Sequence, residues 1–402
     1  MTTVLTQQDL YDTAKELALE FSCTAHQWDQ SREYCWRNVE VMSDAGLMGM
    51  TIPREFGGQG ASFLDVLKVI ECIARECALS ARILVESNMG GISAIMAYGT
   101  KKQKEFCAPI VINGDKPAIC ITEPLAGSAA TEMSTTAKKQ GNRFILNGHK
   151  HWITGGGVSK LYLVFAKVLD ENDNYLGIGG FLIHRDLNKG INPKGFVVGK
   201  RERTMGLCGM PETELLFDKV EIEEDFVLAP RSGYRKGFAE LMTAYNSQRV
   251  GAGTIAMGIA AGATHRAKQY LCERKQFGRP LAEFQGLQWM LAEMDADVHA
   301  SRLMLHDAAQ SSITSSSGFP DMMSAARAKF FATERAIKVV NDALQMFGAR
   351  GFGSNEPLER MYRDVRMFTI GGGTAQILKT QVAGHLLGMP TPQVRNGYAQ
   401  SD

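Results

Sequence analysis

Eight histidines (26, 149, 151, 184, 265, 299, 306 and 385) and eight cysteines (23, 35, 72, 77, 107, 120, 208 and 272) are the side chains best suited to hold a metal or act as nucleophiles. No HxxxH or CxxC spacing brings two of them to one face of an element, so a metal site is not expected. No GxSxG stretch offers a hydrolase nucleophile. "GAGTIA" at 251–256 has the form of a dinucleotide fingerprint, but helical sequence runs straight through it where a strand should precede it. Its glycines read instead as sites of close helix packing. Four other stretches have more to offer. "CITEPLAGSAATEMSTTA" (120–137) leaves a strand for a loop of small residues, whose bare backbone N–H groups suit pyrophosphate or a flavin edge. "HWITGGG" (151–157) sets an aromatic and a hydroxyl beside a glycine loop and can flank a planar ring. "RKQFGRPLAEFQ" (274–285) and "QMFGARGFG" (345–353) join helical sequence to cationic or glycine-rich backbone. Each stretch taken alone is also explained by a turn, a core tryptophan, a solvated arginine or a helix stop.

The rest of the chain must position these stretches. With 402 residues, 45% of them hydrophobic, and a net charge of +1, the chain can bury a large core over two or three domains. Its balanced charge gives no nucleic-acid or membrane surface, and "KGFVVGKRER" (194–203) reads as a solvated loop. The cysteine pattern, the lack of a signal-like N-terminus and the lack of any 18-residue apolar run place the protein in the cytoplasm as an expectation. The 20 methionines read as core filler. From about 7 to 115, apolar residues recur at three and four, predicting helices over 7–28, 61–80 and 83–99, with "TIPREFGGQG" (51–60) as a loop. Near 117 the pattern changes to short Ile-, Val-, Phe- and Tyr-rich runs, which predict an antiparallel sheet domain with a hairpin turn at Asn147-Gly148. Long proline-free helices return after 235, with a linker at 311–321. The expected division is an α domain (1–117), a β domain (118–232) and an α-helical bundle (233–402).

Taken together and in this order, "TIPREFGGQG", "ITEPLAGS", "WITGGG", "RKQFGRPLAEFQ", "QMFGARGFG" and "RMFTIGGGTAQI" resemble the acyl-CoA dehydrogenase family over nearly the whole chain. The resemblance implies an α+β multidomain protein: an N-terminal α domain, a middle antiparallel β domain and a C-terminal four-helix bundle. It further implies a homotetramer with FAD between subunits and an acyl-CoA thioester as substrate. By position, Ile121 and Thr122 would meet the isoalloxazine, and Gly127 and Ser128 the pyrophosphate. Trp152, Ile153 and Thr154 would face the flavin from its other side. Arg274, Phe277, Leu281, Gln285, Gln345, Gly348 and Ala349 would reach FAD from a neighbouring subunit, and Thr374 and Gln376 would touch its adenosine side. Ser128, Tyr245 and Arg249 would line the substrate site. The family's "GSD" reads Gly127-Ser128-Ala129 here, so one carboxylate near that loop is lost.

Dehydrogenation of an acyl-CoA needs a general base beside the α-carbon. The family carries that glutamate in one of two places, and both are vacated: Gly372 stands in "IGGGTAQI", and Gln248 precedes Arg249 in "YNSQR". An amide can orient a substrate, but it accepts no proton near neutral pH. A distant carboxylate, Glu86 or Glu132, is the alternative base. Within the family this combination, together with Arg82 in "ARILVESN" in the third N-terminal helix, resembles the branch that releases sulfite from a sulfinated propanoyl-CoA without net redox chemistry. On that reading Arg82 would grip the sulfinate as a forked cation, and Gln248 would orient the thioester or a water. On structural grounds alone, Arg82 is a helix arginine covering apolar neighbours. Ordinary desaturation, with electrons passed to an electron-transfer flavoprotein, and a non-catalytic acyl-CoA-binding flavoprotein are the competing expectations.

Overall fold

The structure is a computed structural model and describes residues 5–228, 232–389 and 391. Thr6 opens the first helix, α1 (Gln7–Ser31), with a reciprocal capping box to Asp9. Leu10, Ala14, Leu17, Phe21 and Ala25 form its buried stripe. There follow α2 (Trp36–Asp44), α3 (Phe63–Ala74), α4 (Ala78–Asn88), α5 (Gly91–Tyr98) and α6 (Lys101–Ile112). The two long helices expected after residue 60 are therefore three, with breaks after Ala74 and at Met89-Gly90. Gly90, which caps the start of α5, has φ +67, a conformation that suits glycine. Arg82 accordingly lies on the fourth helix rather than the third, and all eleven residues of α4 are buried.

The sheet comprises β1 (Ala118–Cys120), β2 (Thr136–Gln140), β3 (Arg143–Thr154), β4 (Leu161–Leu169), β5 (Tyr175–His184), β6 (Phe196–Arg201), β7 (Glu212–Glu223) and β8 (Val227–Leu228). Its strand order is β6-β7-β3-β2-β4-β5-β8, with β1 on β4. The antiparallel expectation holds for most pairings, but β4 takes both β1 and β2 in parallel. Asn147-Gly148 is not a turn. It is an irregularity inside β3, where Asn147 Oδ1 accepts from Lys219 N, and a Cβ on Gly148 would lie 2.3 Å from Thr135 Oγ1. The reversal comes earlier, at Gly141-Asn142 between β2 and β3, with Gly141 at φ +61. A second irregularity between Lys150 and Ile153 takes Trp152 to φ +57 and turns its indole outward, 51% exposed.

The C-terminal part is built on α7 (Gly233–Glu273), α8 (Gln285–Thr314) and α9 (Met322–Phe347). Short helices α10 (Ala349–Phe352), α11 (Pro357–Val365) and α12 (Ala375–Leu387) follow, and α9 packs on α7, α8, α11 and α12. The sequence "GAGTIA" lies within α7, as its context required. A Cβ on Gly251 would meet Met89 Sδ at 2.8 Å, and one on Gly253 would meet Leu305 Cδ2 at 2.7 Å. Those glycines let α4 and α8 approach α7 closely, which serves packing and not phosphate binding. Among the described residues no helix is long and apolar enough to cross a membrane.

Candidate active site

Helix α7 packs on both α4 and α5, and along these contacts the chain gathers charge. Arg82, 7% exposed, gives one Nη to Glu86 Oε1 at 2.7 Å, one turn along α4. The other Glu86 oxygen accepts from Lys116 Nζ at 2.5 Å, and Lys116 lies just ahead of β1. Lys116 Nζ also approaches the carbonyl of Thr154 at 3.4 Å. Gly155, at φ +84, makes room for it, since a Cβ there would sit 2.2 Å from Lys116 Nζ. One carboxylate thus serves two buried cations and leaves a net positive charge. Arg82 Nε is buried without a partner, an N–H still available to an anion.

Across the strand from Thr154 stands Glu212, first residue of β7 and in register with it. Thr154 Oγ1 lies 2.9 Å from both Glu212 oxygens. Burial pushes the Glu212 carboxyl up to about 7, against the pull of Arg82 and the threonine hydroxyl. Two carboxylates therefore stand near Arg82. Glu86 was anticipated as an alternative base; Glu132 lies elsewhere, in the turn Ala130–Glu132.

Helix α7 contributes Tyr245, Gln248 and Arg249 from a single turn. Gln248 is 4% exposed and its Oε1 has no partner, so the amide is fixed but not satisfied. Arg249 lies 5.8 Å from the Tyr245 ring centroid, gives Nη1 to Asn246 Oδ1 at 2.9 Å and Nε to the carbonyl of Gly372 at 3.3 Å. Burial lowers the Arg249 pKa and raises that of Tyr245. Gly372 has φ +74, and a Cβ there would meet nothing within 4 Å. The glycines on either side of it are held by Lys329, whose Nζ donates to Gly371 O at 2.9 Å and Gly373 O at 2.7 Å. Lys329 is fully enclosed, and burial, with Arg249 and Arg82 nearby, brings its pKa down to about 7. Arg249 thus ties the turn of α7 that carries Gln248 to the backbone of Gly372.

The loop after β1 hangs on Glu123. Its carboxylate accepts from Ser134 N at 2.5 Å, Thr135 Oγ1 at 2.5 Å and Lys150 Nζ at 2.8 Å. Burial alone would raise its pKa, but these partners, Lys150 foremost, outweigh burial and hold it at about 2. Lys150 also bonds the carbonyl of Ile121 at 3.0 Å. Ile121 and Thr122 are half-buried on this support, and Gly127 and Ser128 are exposed, with open space where a Gly127 Cβ would be. The outward Trp152 indole and this bare loop offer flat aromatic surface and unhindered backbone, which fits a flavin and its pyrophosphate.

A second set stands apart. Arg274, Phe277, Gln285, Gln345, Gly348 and Ala349 are exposed, and Leu281 is half-buried. Their segments meet at one end of the bundle, where Tyr270 stacks on Phe347 with centroids 4.0 Å apart. Thr374 is elsewhere: it caps α12 two residues after Gly372, with Gln376 exposed beyond it. The sequence reading missed Lys116, Glu212 and Lys329. The one sequence signal for any of them is a run of charge in otherwise apolar surroundings, as in "GDKPAIC" for Lys116.

Three family descriptions match the chain in order: acyl-CoA dehydrogenase N-terminal domain over residues 5–115, middle domain over 118–220 and C-terminal domain over 235–387. The 3-sulfinopropanoyl-CoA desulfinase of Variovorax paradoxus is 54% identical over 395 residues, covering 98% of this chain and 97% of that protein. The same-named protein of Cupriavidus necator is 53% identical, with 98% of each covered. A solved glutaryl-coenzyme A dehydrogenase glutaryl-CoA complex superposes with a TM-score of 0.88 at 28% identity, over 100% of both chains. The chain belongs to the acyl-CoA dehydrogenase family.

Proposed function

We propose that this protein is a 3-sulfinopropanoyl-CoA desulfinase, which converts 3-sulfinopropanoyl-CoA and water to propanoyl-CoA and sulfite. The observation that carries this reading is the state of Arg82: buried, tied to Glu86 through one Nη, and left with a partnerless Nε. A buried guanidinium with an N–H to spare suits an anionic acyl end better than a hydrocarbon one. Glu86 leaves the pair of Arg82 and Lys116 with one positive charge in excess, which the sulfinate would neutralise. Relatives more than 50% identical over 98% of the chain bear the desulfinase name.

FAD would rest on Ile121, Thr122 and Ser128, with Trp152 and Thr154 beside the ring and Thr374 and Gln376 toward the adenosine. When bound it supplies a planar floor to the acyl site, without net redox chemistry. Arg274, Phe277, Gln285, Gln345 and Gly348 would complete the cofactor site of a neighbouring subunit in a homotetramer. Their exposure in the single chain, 93% for Phe277, supports that assignment. Gln248 holds the acyl thioester in place, and its amide leaves the α-proton alone.

The test is incubation of the FAD-loaded protein with 3-sulfinopropanoyl-CoA and no electron acceptor, followed by a sulfite assay; sulfite release at a catalytic rate is expected. A second reading, α,β-desaturation with electron-transfer flavoprotein as acceptor, draws on the two carboxylates near Arg82. It predicts the opposite pattern: anaerobic bleaching of the flavin band by a saturated acyl-CoA, and no sulfite.

A further inference from the structure

We propose that Glu212 is the proton donor to the carbon from which the sulfinate departs. The proposal rests on the desulfinase reading and names a group that reading leaves open. Breaking the C–S bond of a sulfinate with its electron pair left on carbon releases sulfur dioxide and needs a proton at that carbon. Addition of water to sulfur dioxide then gives hydrogen sulfite and a proton. The atoms and electrons balance if one carboxyl group gives up the first proton and recovers the second, and no oxidant or reductant enters.

The carboxylates around Arg82 and the flavin shelf are not equal candidates. Both Glu86 oxygens are taken by cations, Arg82 at 2.7 Å and Lys116 at 2.5 Å. Glu123 holds Lys150 and the hydroxyls of Ser134 and Thr135, and is committed to the loop. Glu212 has no ion-pair partner at contact distance among the described residues. Its one side-chain partner is Thr154 Oγ1, a hydroxyl that can donate to the carboxylate or accept from the acid. Glu212 as a residue is half-buried.

Its position is set by the sheet. The register of β3 and β7 puts Glu212 opposite Thr154, whose carbonyl is 3.4 Å from Lys116 Nζ, and Lys116 leads through Glu86 to Arg82. The charged groups facing it are Arg82 and Glu86 from α4 and Lys116 from the segment before β1, with the Tyr245 phenol facing it from α7. Arg82 Nε and Gln248 Oε1 are both buried without partners, which marks this neighbourhood as built around a ligand that the protein alone does not satisfy. Burial that lifts the Glu212 carboxyl to about 7 keeps a large fraction protonated at neutral pH.

The experiment measures sulfite release by the FAD-loaded wild type, Glu212→Gln and Glu212→Asp across neutral pH. Wild-type turnover is expected to fall as pH rises through the Glu212 titration near about 7. Glu212→Gln should lose about 10²- to 10⁴-fold in rate together with that limb, at unchanged flavin content. Glu212→Asp should recover part of the rate and a displaced limb. A glutamine can still accept from Thr154, so a purely structural Glu212 would leave both rate and pH profile intact in Glu212→Gln, and that result overturns the proposal. If Glu212→Gln loses its flavin, Glu212→Asp decides: an unmoved pH limb overturns the proposal. Absence of sulfite from the wild type sinks the desulfinase reading itself, and Glu212 as donor with it.

Discussion

Gly90 and Gln248 are in contact: a Cβ placed on Gly90 would lie 2.1 Å from Gln248 Oε1. The positive-φ residue between α4 and α5 is therefore also the one that leaves room for the amide on α7. Gly90→Ala is expected to displace Gln248 by an ångström or so and to slow sulfite release on the order of 10²-fold, with flavin retained. An alanine variant with wild-type turnover would show that the position of Gln248 does not matter to the reaction.

On the proposed reading, Gln248 stands where a dehydrogenase of this family would carry its base. Gln248→Glu should restore a proton acceptor without changing the shape of the side chain. Anaerobic propanoyl-CoA is then expected to bleach the flavin of the variant and to leave the wild type unbleached. Lack of bleaching in Gln248→Glu would mean that this side chain does not reach the α-carbon. Position 372 is less permissive, because Gly372 has φ +74, where a side chain costs about 1–2 kcal/mol.

The order of domains was legible in the sequence because local composition carries it, whereas Arg82 and Gln248 stand out only through the resemblance of "ARILVESN" and "YNSQR" to the family. A change of hydrophobic period at 117 marks the sheet, and short motifs mark the loops. Glu212 was not legible. It stands 58 residues from Thr154, and only strand register brings the two together. Lys329 is a lone cation on a helix until the glycine loop 371–373 folds onto it. The misplaced hairpin has a similar cause: Asn147-Gly148 satisfies the local rule for a turn, but pairing of β3 with β7 on one side and β2 on the other absorbs it as an irregularity within the strand.

Arg82→Lys keeps the charge on α4 but lacks the fork and the Nε donor. Losing a buried, charge-assisted contact typically costs about 2–5 kcal/mol, so sulfite release should fall by ~30-fold or far more. Flavin absorbance and the melting temperature should change little, because lysine can still pair with Glu86. Undiminished turnover would remove Arg82 from the site.

Glu123→Gln should destabilise the β domain. Breaking a buried ion pair typically costs about 3–5 kcal/mol, and here it leaves Lys150 uncompensated. The carboxyl is held at about 2, below its unfolded value, so its contribution is fully present at neutral pH and fades as pH falls toward about 2. The gap in melting temperature between wild type and variant should therefore narrow on acidification, and a constant gap would contradict the assignment.

Lys329 gives a dependence of the same sign in a higher pH window. Its pKa is brought down to about 7 from an ordinary 10.5, so between those values the unfolded chain binds more protons than the folded one. Stability from this group therefore rises with pH across that window, because the neutral amine still donates to Gly371 O and Gly373 O while the burial of a charge is relieved. In Lys329→Met the two carbonyls lose their donor and the titration disappears. The wild type should gain on the variant in melting temperature as pH rises above 7, and parallel curves would mean that Lys329 stays charged beneath the loop, with the carbonyls of Gly371 and Gly373 solvating the cation.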